Sequence, residues 1–330
     1  MRELIDRNIF DLFNTLYLDI AELSFSFLSD AQALAAIAML LYFAMEAYKM
    51  MAGDKTMEIM PLLRPFALLL VIVLWSQFID VVNFPITVVN DTAKGMYEMQ
   101  IDNVEHMHVE RQGLIDQVAK KMSESSAEFD QVEGETQDKD WYEKMGIDLE
   151  PLFHKMKGYY LMLMAKINFA IMRMVEYIVI VIFQICTYLV FLLQIIFAAI
   201  LVILGPFSFA MSILPGFRDS YLTWIGRYIS VGLYSTIAYI VMSISFVIIR
   251  YAQEREIEVL KAILENEELF IAYVSYSSAN ISFYIVSLVI AALAMLCIPV
   301  ISTWIINTSG VGQAIGSVVR GGMTSGRMMQ

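Results

Sequence analysis

The chain has 330 residues, 58% of them hydrophobic and 17% charged, and carries a net charge of -12. Apolar content of that order, gathered in several long runs, excludes an ordinary soluble globular protein and predicts a polytopic all-α membrane protein. The acidic balance argues against general nucleic-acid affinity only where it is spread evenly, and here it concentrates in two polar segments.

Residues 1–29 place Ile5, Ile9, Leu12, Phe13, Leu16 and Ile20 on one helical stripe, with Asp6, Asp11, Asp19 and Glu22 elsewhere. This predicts an amphipathic N-terminal periplasmic helix, interfacial or packed. Its charged start is unlike a signal peptide. Residues 30–83 read as a first transmembrane hairpin. Asp30 is placed to cap a span over Ala31–Met51, with Glu46 and Lys49 near its end. The second span starts at Pro61-Leu-Leu-Arg-Pro-Phe-Ala67, should bend at Pro65, and should end at Pro85. Residues 84–166 form an acidic insert, predicted to be periplasmic, with helices around a flexible centre at Ser123–Asp140.

Residues 167–250 hold the stretch around which the rest is organised. From Tyr177 to Leu204 no residue is charged, a run of about 28 residues that spans about 42 Å as a helix, more than the ~30 Å of a bilayer's hydrocarbon. Gly205-Pro206 is expected to break this helix, and Pro215-Gly216 to stop the short apolar piece after it. Arg218–Arg227 then reads as an interfacial segment, with Tyr221 and Trp224 at headgroup depth, before a fourth span over Tyr228–Ile249. Residues 251–279 read as an acidic periplasmic loop, 280–306 as a fifth span bent at Pro299, and 307–330 as a flexible glycine-rich cytoplasmic tail.

Lysine and arginine flank the loop between the first two spans, at Lys49, Lys55 and Arg64. They recur at Arg218 and Arg227, and in the tail at Arg320 and Arg327. An odd number of spans puts these regions on one side, so the positive-inside rule gives N-terminus out and C-terminus in. The segment 83–165 has 8 Lys/Arg against 16 Asp/Glu and can be translocated regardless of that charge.

Few residues suggest chemistry. His106 and His108 form an H-x-H pair that chelates only if extended, and they are read as solvated. Arg173 and Glu176 are spaced for a helical ion pair, or else a gate. Gln184, Thr187 and Gln194 either bond neighbouring helices or line a lumen. Asp80 lies near a span's end and is read as interfacial. Cys186 and Cys297 sit in apolar runs and are read as buried free thiols. There is no P-loop, G-x-S-x-G, H-E-x-x-H or cysteine cluster, so no enzyme, metal or cofactor is expected.

Two blocks carry a family resemblance. One is Pro61, Leu63, Arg64, Pro65 and Phe66 after a short polar loop. The other is Leu204-Gly-Pro-Phe-Ser-Phe-Ala210, continuing through Pro215, Gly216, Arg218, Tyr221 and Trp224. Together they resemble the TraJ proteins of Bacteroides-type conjugative transposons, which belong with TrbL and the sixth VirB component. The resemblance implies a bacterial inner-membrane, multi-pass subunit of a type IV secretion machine. It implies a homo-oligomer, a pentamer by analogy, associated with a bitopic scaffold subunit, the pilin and the secretion ATPase complex. It also implies transient contact with single-stranded DNA and its relaxase, and a part in pilus assembly. In that setting Gly205, Pro206, Pro215, Gly216, Arg218, Trp224 and Arg227 would form a broken helix end and cytoplasmic gasket, with Arg218 and Arg227 holding membrane lipid or the ATPase. The alternatives are a small-solute transporter, disfavoured by the lack of an internal repeat, and a purely structural membrane scaffold.

Overall fold

The computed structural model describes residues 9, 12–13, 15–16, 25–53, 60–135, 150–266, 269–270 and 282–305. Among them every regular element is a helix: α1 (Phe25–Met51), α2 (Met60–Val73), α3 (Trp75–Glu135), α4 (Glu150–Met211), a 3-10 turn (Pro215–Phe217), α5 (Ser220–Glu265), α6 (Phe283–Leu296) and α7 (Ile298–Ile305). By length and composition, three of the described helices can cross a membrane, or up to five if each of two bent pairs is one span.

Local sequence explains much of this, and so do the departures from expectation. Five prolines were read as stops or bends. Pro65, Pro85 and Pro206 instead lie inside α2, α3 and α4. The second apolar run bends by 86° between α2 and α3, at Leu74 and not at Pro65. Pro65 lies near the start of α2, where its missing N–H deprives one carbonyl only. The bend of the last pair, 54°, falls at Cys297, within the turn that Pro299 disrupts. Cys297 is exposed, contrary to expectation, while Cys186 is buried; both are free.

Two regions read as separate from the spans are largely part of one helix. The segment Arg218–Arg227 is not a separate interfacial piece, because α5 starts at Ser220 and runs unbroken to Glu265. That length also absorbs most of the predicted acidic loop from residue 251. The sequence EREIEVLKAILE is rich in helix formers, and Ile257, Leu260 and Ile263 give it an apolar face. Asp30 lies inside α1 and is no cap. The centre expected to be flexible is helical up to Glu135, while residues 136–149 and the tail from 306 lie outside the described residues, as does most of 1–24.

The chain forms two compact units. The first comprises Glu98–Ile185 and Met242–Leu293; the second comprises the described residues up to Tyr97, Cys186–Val241 and those from Ala294 onward. In the first unit, Ile115 and Val118 of α3 pack with Leu260 and Ile263 of α5 and with Phe270. In the second, α1, α2, the start of α3, the end of α4 and the start of α5 share one core. It is built from Ala35, Ala38, Leu68, Ile72, Trp75, Val202, Phe209, Trp224 and Tyr228, among others. Of the predicted N-terminal stripe, Phe13 is buried and packs on Tyr188 and Phe191, with ring centroids 6.2 and 6.3 Å away, which favours packing over an interfacial role.

Candidate functional site

The second unit closes around Gly205-Pro206. A proline inside a helix withholds a donor from the carbonyl four residues earlier, and its ring pushes on that turn. Here that carbonyl belongs to Val202, and the Trp75 indole Nε1–H donates to it at 3.2 Å. One residue back, the Leu201 carbonyl accepts from Trp224 Nε1–H at 2.8 Å. Two tryptophans from other helices thus supply donors to the turn that the proline leaves short. This is why α4 continues to Met211 and does not break at residue 205. In an apolar surrounding, a helical proline persists where neighbours satisfy the freed groups.

Glycine at 205 makes room for that repair. A Cβ there would lie 2.8 Å from Trp224 Cζ2 and overlap the Trp75 ring. The two indoles meet at 5.1 Å between centroids, and Phe209 lies 5.5 Å from each, edge-on. Tyr228 stacks on Trp224 at 5.1 Å and 10°, and its hydroxyl donates to Asn83 Oδ1 at 2.8 Å. Trp224 is 5% exposed and faces the helical core. Its N–H needed a partner, and a backbone carbonyl provided one.

Past Met211 the chain does turn. Ser212 Oγ donates to the Ser208 carbonyl at 2.7 Å and accepts from Tyr221 N–H at 2.9 Å, covering one orphan donor at the start of α5. Ser208 Oγ donates to the Ser220 carbonyl at 3.1 Å. The two motif blocks meet here. Arg64 donates to the Arg218 carbonyl and lies over the Tyr221 ring, 5.7 Å from its centroid. Pro65 is buried, whereas Leu63 and Phe66 are exposed, Phe66 against Phe43 at 5.7 Å. Pro215, Gly216, Arg218 and Arg227 are exposed.

Among the polar residues of the long apolar run, Gln194 Nε2 donates to the Gly232 carbonyl and to Ser235 Oγ, both at 3.1 Å, which ties α4 to α5. Thr187 is fully buried and Gln184 half-buried. Asp80 is exposed.

The first unit contains a buried ionic cluster that sequence reading missed. Arg111 of α3 forks onto Glu176 of α4, at 2.7 and 3.1 Å, and meets Glu256 of α5 through one hydrogen bond at 3.1 Å and an ion-pair approach of 2.9 Å. Arg111 and Glu176 are 2% and 5% exposed. Gln112 adds a bond to Glu176 at 3.0 Å, and Ser282 one to Glu256 at 2.9 Å. The Tyr284 ring covers the guanidinium at 4.2 Å, and its hydroxyl meets His108 Nδ1 at 3.2 Å. The predicted Arg173–Glu176 pair is therefore corrected: Glu176 turns inward to Arg111, and Arg173 reaches Asp116. His108 is half-buried rather than solvated, and His106 is exposed. No group of three or more metal-ligating side chains occurs among the described residues. One signal in the sequence pointed to the cluster: Glu176 is a carboxylate at the edge of a charge-free run, and such a group needs a partner. Nothing local named Arg111 as that partner, 65 residues away.

A family described as homologues of TraJ from the Bacteroides conjugative transposon matches residues 7–328. The chain belongs to that family. TraJ-family membership assigns it a role in the transfer of conjugative transposons. The match runs through both motif blocks, both units and the acidic insert. No curated protein and no solved structure matches the chain.

Proposed function

We propose that this TraJ-family protein is an inner-membrane channel or platform subunit of a type IV secretion machine, supporting translocation of a DNA–protein substrate and pilus assembly. The observation that carries this reading is the family match over residues 7–328. The charge-free run of α4 supports it, since that run exceeds the thickness of a bilayer core.

In this reading several copies, five by analogy, ring an axis with their α4 helices. The Gly205-Pro206 step is a weak point held shut by Trp75 and Trp224. The turn from Ser212 to Ser220 would form the cytoplasmic gasket, and the acidic insert would face periplasmic components. The bitopic scaffold, the pilin and the secretion ATPase complex would be the neighbours, and single-stranded DNA with its relaxase would be the transient cargo. A proline helix with its carbonyls borrowed by side chains can hold two arrangements, intact or kinked, which a gate requires.

The test is Pro206→Ala, which keeps the helix and removes its weak point. Conjugation frequency should fall while the protein inserts at normal levels. Unchanged transfer would remove the step from the mechanism. Site-specific crosslinking from Phe207 to DNA during mating separates a conduit from a scaffold.

A further inference from the structure

A cavity of about 730 Å³ opens beside the turn that joins α4 to α5. That volume lies within the range of small-molecule sites. Its apolar lining includes Ile200 and Leu204 on α4 and Phe217 on the turn. Its rim carries Arg218 and Arg227, both exposed, together with Asp219. Two guanidiniums against one carboxylate leave the rim with a surplus positive charge.

The level of this cavity along the chain is the second observation. The charge-free stretch that begins at Tyr177 runs through the end of α4 to Phe217, and the first charges after it are Arg218, Asp219 and Arg227. The apolar run of α5 begins directly after Arg227. Both hydrocarbon-compatible stretches therefore end at the same cavity, where a bilayer would pass from acyl chains to headgroups. Ile200 and Leu204 are 48% and 53% exposed, so the apolar wall is open and continuous with the lipid-compatible face of α4.

We infer that this cavity binds an anionic phospholipid, with its acyl chains along Ile200 and Leu204 and its phosphate held by Arg218 and Arg227. An arginine fork matches phosphate oxygens in a bidentate way that a lone ammonium does not. An acidic protein partner would use the arginines but leave the apolar wall unfilled, and a free phosphate would do the same. The amphiphile satisfies both halves of the site. Arg64 anchors the turn from its other side through the Arg218 carbonyl, so the Arg218 backbone is fixed while its side chain is exposed.

Such a site needs a membrane-spanning chain but no secretion machine, so its test uses the purified full-length protein. Thermal unfolding in detergent micelles would be followed with added phosphatidylglycerol, with phosphatidylcholine of the same chains, and with inorganic phosphate. Phosphatidylglycerol should raise the midpoint, and the other two should not. In the variant R218Q/R227Q the apparent affinity for phosphatidylglycerol should drop about thirtyfold. Native mass spectrometry should show fewer retained anionic lipids on that variant, which checks the result independently of its basal stability. Equal shifts from the two lipids, an equal shift from inorganic phosphate, or full retention by the variant would overturn the assignment. Loss of conjugation with lipid binding unchanged would hand the arginines to a protein partner and equally overturn it.

Discussion

At residue 206 a proline costs its helix one donor, and the cost is met from outside the helix. The Trp75 indole bonds the Val202 carbonyl that the proline cannot serve. This coupling has a measurable consequence. Trp75→Phe should destabilise the protein by about 1 kcal/mol, the scale of an interhelical hydrogen bond in a membrane protein. In a Pro206→Ala background the backbone N–H returns to Val202, so the same Trp75→Phe change should cost clearly less. Equilibrium unfolding in mixed micelles, read as a double-mutant cycle, checks the difference. Additive effects would mean that the indole bond does not compensate the proline. Gly205 belongs to the same local device, because any Cβ there meets both indole rings. The motif Gly-Pro was legible as a special step in the chain. Its partner Trp75 was not, since nothing in the sequence pairs residue 75 with residue 202.

Along whole helices, the outcome depends on which faces find neighbours. Helix α5 stays intact for 46 residues, through what composition suggested was a loop. Its acidic half packs Leu260 and Ile263 against α3, and Glu256 joins the buried cluster around Arg111. That cluster ties α3, α4, α5 and the first turn of α6 within one unit. A buried ion pair is weak evidence of net stabilisation, but removing one member leaves the other charged and unpaired. Arg111→Met should therefore destabilise by about 3–5 kcal/mol, because it strands Glu176 and Glu256 together. Glu256→Gln should cost much less, since Arg111 keeps its fork on Glu176. Unfolding midpoints and the yield of folded protein test this order. Equal penalties would mean that the three groups do not act as one network. Surface pairs such as Lys261–Glu110, at 2.8 Å and exposed, belong to a different class and contribute little.

For the molecule as a whole, the described helices supply three to five candidate spans, and the family match supplies the setting in conjugative transfer. The proposed orientation, N-terminus out and C-terminus in, is open to direct labelling. With Cys186 and Cys297 replaced by Ala, Glu128→Cys in the acidic insert should react with an impermeant thiol reagent from the periplasm. Gly216→Cys, on the exposed turn before Arg218, should react only after the inner membrane is opened. Gly216 has open space around its Cβ position, so the new side chain is accommodated. Reversed labelling would invert the topology and move the proposed gasket to the other face.

Composition and periodicity were enough to establish a helical, membrane-compatible chain, because burying this much apolar surface needs only counting and spacing. The two motif blocks were enough to find the family. Where helices stop could not be read in this way. A proline acts as a stop when the carbonyl it frees meets no donor, and here that donor comes from a tryptophan more than a hundred residues away in the chain. The same holds for charge: nothing in the sequence joins Arg111, Glu176 and Glu256 until folding brings them together, with Arg111 and Glu176 buried and Glu256 partly so.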